Sequence, residues 1–138
     1  MAILFYVQDI TYKLSGKRKI KEWIKQVISL NHKKYGEINI ILTGDKKLLE
    51  LNKSHLNRNY YTDIITFDYS VKNKISGDLF ISIERIKENS DKYRINIDKE
   101  LKRVIIHGIL HLLGYRDKSK QEKDKMRMIE DRYLKIIE

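Results

Sequence analysis

Apolar residues recur along this chain with two periods, two and three-to-four residues, and each period predicts an element. Ile3 to Ile10 is a run of aliphatic and aromatic side chains that predicts a first strand. After Gly16, the residues Ile20, Trp23, Ile24, Val27, Ile28 and Tyr35 predict an amphipathic helix over 17–35, ended by Gly36. Ile38 to Leu42 predicts a second strand, and Asp45 is placed to cap a helix from Lys46 to Leu56. The polar and aromatic stretch Asn57 to Asp63 predicts a loop. Ile64 to Ser70 and Gly77 to Glu84 predict a third and a fourth strand around a turn at Lys72 to Ser76. A short helix over Arg85 to Tyr93 leads to Asp98, the expected cap of a helix from Lys99 to Leu113. Ser119 and Glu122 have capping-box spacing and open a last helix to Ile137, expected to pack through Met126, Ile129, Tyr133 and Ile136. The sum is an α+β fold, one domain over 1–138. A four-stranded mixed sheet, its last two strands a hairpin, is covered by about five helices.

At 138 residues the chain can bury one core. It has no cysteine, which excludes disulfides and thiolate metal sites and suits a reducing cytosol. No stretch approaches membrane-spanning length and the N-terminus lacks a basic leader, so a cytoplasmic protein without a membrane partner is expected. The formal net charge of +10 favours polyanions, although a lysine-rich composition can equally reflect an AT-rich genome. Residues 11–35 carry eight basic side chains against one acid, Glu22, a segment able to form a phosphate-facing patch.

The chemistry concentrates at Val104 to Lys118. His107 and His111 are four apart and share one helical face, Gly114 can reverse the chain, and Asp117 follows three residues later. Two imidazoles and a carboxylate suit one divalent ion per chain, zinc above others, with a position left open for water. The competing reading is a pair of hydrogen-bonded structural histidines. Their neighbours Ile105, Ile106, Ile109, Leu110, Leu112 and Leu113 are apolar, and an unpartnered imidazole there costs about 1–3 kcal/mol. A bound structural zinc is worth about 10 kcal/mol or more, which favours the metal. Where a zinc protease helix carries its glutamate base, this chain has Gly108, so peptide hydrolysis by that route is not expected. His32 and His55 lie in polar surroundings and are expected to be solvated. Tyr60 and Tyr61 suit either stacking on unpaired bases or packing over the sheet edge.

The segment H-G-I-L-H-L-L-G-Y-R-D at 107–117 resembles the signature H-G-x-L-H-L-x-G-x-D-H of the YbeY family. Leu51-Asn52, Thr62 to Phe67, Gly77 to Ser82 and Glu100-Leu101 resemble further segments of that family in the same order, over about residues 36–118. The resemblance implies a metal-dependent, single-strand-specific endoribonuclease of ribosomal RNA maturation and ribosome quality control. Its substrate would be precursor ribosomal RNA, cut by a metal-activated water. Small-subunit ribosomal proteins or an assembly GTPase would be its partners. It also implies the metal ligands His107, His111 and Asp117, the last standing where the family has a third histidine. Thr62, Asp63 and Asp78 match positions near the cleft and become substrate-binding candidates, with loop or turn hydrogen bonding the alternative for each. The family's arginine before its T-D segment falls on Leu56 here, leaving Arg58 and Arg116 as catalytic candidates. Two other readings stand beside this one: a metal-dependent hydrolase of another substrate, metalloprotease-like, and a non-catalytic ribosome-assembly factor with a structural metal.

Overall fold

Alternation in the strands decides which side of the sheet each helix takes. The protein is described from a computed structural model, over residues 1–55 and 62–138. Strands β1 (Ala2–Val7), β2 (Lys34–Thr43), β3 (Ile64–Asp68) and β4 (Lys74–Ser82) form one sheet in the order β1-β2-β4-β3. β1 and β4 run parallel to β2, and β3 pairs antiparallel with β4 as the expected hairpin. The helices are α1 (Lys17–Leu30), α2 (Asp45–His55), α3 (Ile83–Tyr93), α4 (Ile97–Leu112) and α5 (Lys120–Ile137). Ile38, Ile40 and Leu42 of β2 and Leu79 and Ile81 of β4 are fully buried in one core with α1, α4 and α5. The other face carries α2, whose Leu48 and Leu51 pack on Ile65, Phe67 and Phe80. The α+β architecture, one mixed four-stranded sheet with five helices among the described residues, is the expected one.

Several boundaries differ, each for a visible reason. β1 ends at Val7, three residues early, and Asp9 turns the chain at φ 62°. α1 stops at Leu30: the Asn31 and His32 amides close its last turn and His32 takes φ 60°. Tyr35 and Gly36 therefore lie in β2, not at the end of a helix; Tyr35 pairs with Ile75, and a Cβ on Gly36 would meet the Ser76 side chain. Tyr35 fits both periods, and strand pairing wins. β4 starts at Lys74 inside the expected turn. Asp45 is the first residue of α2, and its carboxylate grips Arg85 at 2.9–3.1 Å and accepts from the Ser82 hydroxyl at 2.7 Å. α4 begins at Ile97, capped by the Asn96 side chain, with Asp98 inside its first turn. The capping box of Ser119 and Glu122 forms as expected. On α5, Met126, Ile129 and Tyr133 are buried, but Leu134 and Ile137 complete the stripe while Ile136 is exposed.

Candidate metal centre

α4 is held close to the sheet by a missing side chain. A Cβ on Gly108 would come within 2.6 Å of Leu79 Cδ2 and 2.8 Å of Ile64 Cδ1, so any other residue would have to push these methyl ends aside for α4 to lie as close on β3 and β4. The residue that denies the helix a protease base thus also serves its close packing on the sheet. α4 then ends in a Schellman turn: Tyr115 N–H donates to the Leu110 carbonyl and Gly114 N–H to the His111 carbonyl, both at 3.0 Å, with Gly114 at φ 100°. The Tyr115 hydroxyl donates to Asn31 Oδ1 at 2.8 Å, which ties the turn to the end of α1. Chain reversal here brings Asp117 back over the helix face that carries the histidines.

The three side chains meet. His107 Nε2 and His111 Nε2 are 3.1 Å apart, and the Asp117 oxygens stand 3.2 Å and 3.4 Å from them. One ligand atom from each residue lies within 4.8 Å of the other two, and this group could hold a metal ion. The donor chemistry fits a divalent cation: two ring nitrogens face each other beside a carboxylate oxygen, the donor types that zinc-like ions accept.

Behind the imidazoles stands a second layer. Glu130 of α5, almost fully buried, places Oε2 at 2.5 Å from His107 Nδ1, and its Oε1 accepts from Arg103 at 3.0 Å. Arg103 also donates to Asp131 at 2.6 Å. Burial alone would lower the His107 pKa, but the Glu130 hydrogen bond and charge, then the charges of Asp117 and Asp63, raise it above its ordinary value. His111 moves the opposite way, lowered by burial and then by the charge of His107.

The trio stands between two clefts. One, of about 480 Å³, is lined by Asn52, Thr62, Asp63, Thr66 and Asp68 together with His107, His111 and Asp117. The other, of about 270 Å³, shares Asp63, His107 and Asp117 and runs between α3, α4 and α5 past Asn89, Tyr93, Glu100 and Arg127. Burial raises the carboxyls of Asp63 and Glu100 above their usual range, Glu100 further through the charge of Asp63.

Of the residues singled out in the sequence, Thr62 and Asp63 reach the cleft, and the Thr62 hydroxyl also donates to the Ile64 carbonyl at 3.4 Å. Asp78 does not join them. It points to the opposite face of the sheet because its neighbour Leu79 points at the core. There it accepts from Asn39 Nδ2 at 3.0 Å and lines a separate concavity with Tyr6 and Lys47. Arg116 is exposed on the turn and lines neither cleft. Arg58, Leu56, Tyr60 and Tyr61 lie outside the described residues. His55 is exposed at the end of α2, as expected, with its ring edge to face on Phe67. Sequence reasoning missed Glu130, Arg103 and the buried Asn52 wall. The available signal for Glu130 was one acid standing beside Ile129 on an otherwise apolar stripe.

The family model described as Endoribonuclease YbeY matches residues 6–138. Endoribonuclease YbeY of Parabacteroides distasonis is 46% identical over 137 residues, covering 99% of this chain and 96% of its own. The Flavobacterium psychrophilum protein of the same name is 44% identical over 129 residues, covering 94% and 92%. The solution structure of the Thermotoga maritima protein TM1509 shares the fold, with a TM-score of 0.65 at 23% identity, covering 99% of this chain and 89% of that one. With a family model over nearly the whole length and relatives this similar, the chain belongs to the Endoribonuclease YbeY family.

Proposed function

We propose that this protein is a metal-dependent, single-strand-specific endoribonuclease acting on precursor ribosomal RNA in the cytoplasm, in ribosome maturation and quality control. The observation that carries the reading is the convergence of His107, His111 and Asp117 at a cleft, in a chain of an endoribonuclease family. His107 and His111 would ligate through Nε2 and Asp117 through a carboxylate oxygen, a set that favours zinc. A divalent ion held by these three residues would supply Lewis acidity toward a water and a phosphoryl oxygen.

The remaining work falls to the chain itself. Asn52, Thr62 and Thr66 line the cleft with amide and hydroxyl groups that can orient a phosphodiester. Asp63 adds a carboxyl to the cleft wall beside them. Charge building on the phosphate needs a cation, the role for which Arg58 and Arg116 remain the candidates. Small-subunit ribosomal proteins or an assembly GTPase are the partners that would present the RNA.

The test is metal content by elemental analysis and cleavage of a single-stranded RNA, wild type beside His111→Ala. About one zinc per chain, lost together with cleavage in the variant, is the expected result. Zinc bound without cleavage in the wild type would move the reading to a structural metal in an assembly factor.

A further inference from the structure

α5 is expected from its sequence to do no more than pack, yet it spends a buried position on a charge. Glu130 is 4% exposed, beside Ile129 and Tyr133 on the face that meets α4. A carboxylate there is costly unless each oxygen is satisfied. Both are: Oε2 stands 2.5 Å from His107 Nδ1, and Oε1 accepts from Arg103 at 3.0 Å. The Arg103 side chain, itself 13% exposed, is held in turn by Asp131 at 2.6 Å. The series Asp131–Arg103–Glu130–His107 thus runs from solvent to a candidate ligand, crossing between α5 and α4 three times.

We propose that Glu130 is a positioning residue for the metal centre. It fixes His107 as the Nδ1–H tautomer with Nε2 presented to the ion, while Arg103 and Asp131 fix Glu130. An imidazole has two ring nitrogens, and only the one without a proton can ligate. A carboxylate accepting from Nδ1–H settles which nitrogen that is, sets the ring plane and raises the basicity of Nε2. The plain alternative is that Glu130 and Arg103 only fasten α5 to α4. That role would leave metal affinity untouched once the protein is folded, and this difference is measurable.

The inference rests on the metal-binding reading above, so the readout is zinc affinity rather than cleavage. Zinc is titrated against a competing chelator into metal-free wild type, Glu130→Gln and Glu130→Asp. The Gln variant keeps the shape without the charge. The Asp variant keeps the charge but shortens the reach to His107. Both are expected to bind zinc roughly 10- to 100-fold more weakly, with the Asn variant at exposed Asp131 closer to wild type. Equal zinc affinity in wild type and folded Glu130→Gln, even with a lowered melting temperature, would overturn the proposal. Should both Glu130 variants fail to fold, nitrogen–proton correlation spectra of zinc-loaded wild type decide it. A proton on His107 Nδ1 supports the assignment, and one on Nε2 sinks it. A wild type that takes up no zinc would instead overturn the metal reading itself.

Discussion

A single hydrogen in place of a methyl at Gly108 sets how closely α4 approaches the sheet. Gly108→Ala puts a Cβ against Leu79 and Ile64 and is expected to cost about 1–3 kcal/mol in a urea unfolding titration, as overpacking does. Because His107 precedes it, a weaker zinc affinity should accompany the loss. Glu100 gives a pH signature. Its folded pKa is raised by burial and then by Asp63, so its contribution to stability is present below its unfolded pKa and lost as pH rises through the folded one. Glu100→Gln mimics the protonated form. It should therefore melt higher than wild type near pH 8 and no higher near pH 4, and a constant difference across that range would contradict the assignment.

At the scale of elements, the turn after α4 is the joint that places a carboxylate beside two helical imidazoles. Gly114 sits at φ 100°, where a side chain costs about 1–2 kcal/mol, so Gly114→Ala should lower the melting temperature and swing Asp117 off the imidazoles. Zinc binding by that variant, measured by calorimetry, should weaken more than in a destabilised control such as Ser119→Ala. The latter removes only the capping box of α5 and costs about 1 kcal/mol. These local features were legible in the sequence because their partners lie within one or two helical turns: histidines at i and i+4, a glycine at the helix end, a Ser and Glu three apart. Glu130 was not legible, because its partners Arg103 and His107 are on another helix and spacing carries no record of that crossing. The end of α1 was misread for a related reason. Tyr35 continues the helical stripe, but pairing with Ile75, forty residues on, outweighs that local preference. Asp78 shows the limit of motif reading, since one step in register decides which face of a strand a side chain takes.

For the molecule as a whole, the excess positive charge is placed at some cost to stability. α1 begins with Lys17, Arg18 and Lys19, has no acid in its first turn, and its cap Gly16 supplies no side-chain bond. Cations at a helix N-terminus oppose the macrodipole by about 0.3–1 kcal/mol each. Replacing all three by alanine should leave the melting temperature unchanged or higher, while weakening binding of single-stranded RNA. A footprint of about four phosphates predicts a log–log salt slope near −3, about a 50-fold loss of affinity between 50 and 200 mM salt. The triple variant should show a shallower slope; an unchanged one would place the phosphates elsewhere on the surface.

The turn that carries Asp117 also bears on how the proposed centre would tolerate substitution. His107 and His111 rise from α4, whose opposite face packs on the sheet, while their side chains keep 25% and 32% of their surface in solvent. Asp117 lies beyond the Schellman glycine, on a turn outside the helices, with about a third of its side chain in solvent. In the proposed metal centre, a change of residue type at 117 would therefore alter the charge at the ion without moving a helix. Of the three positions, 117 is the one placed by a turn rather than by a helix.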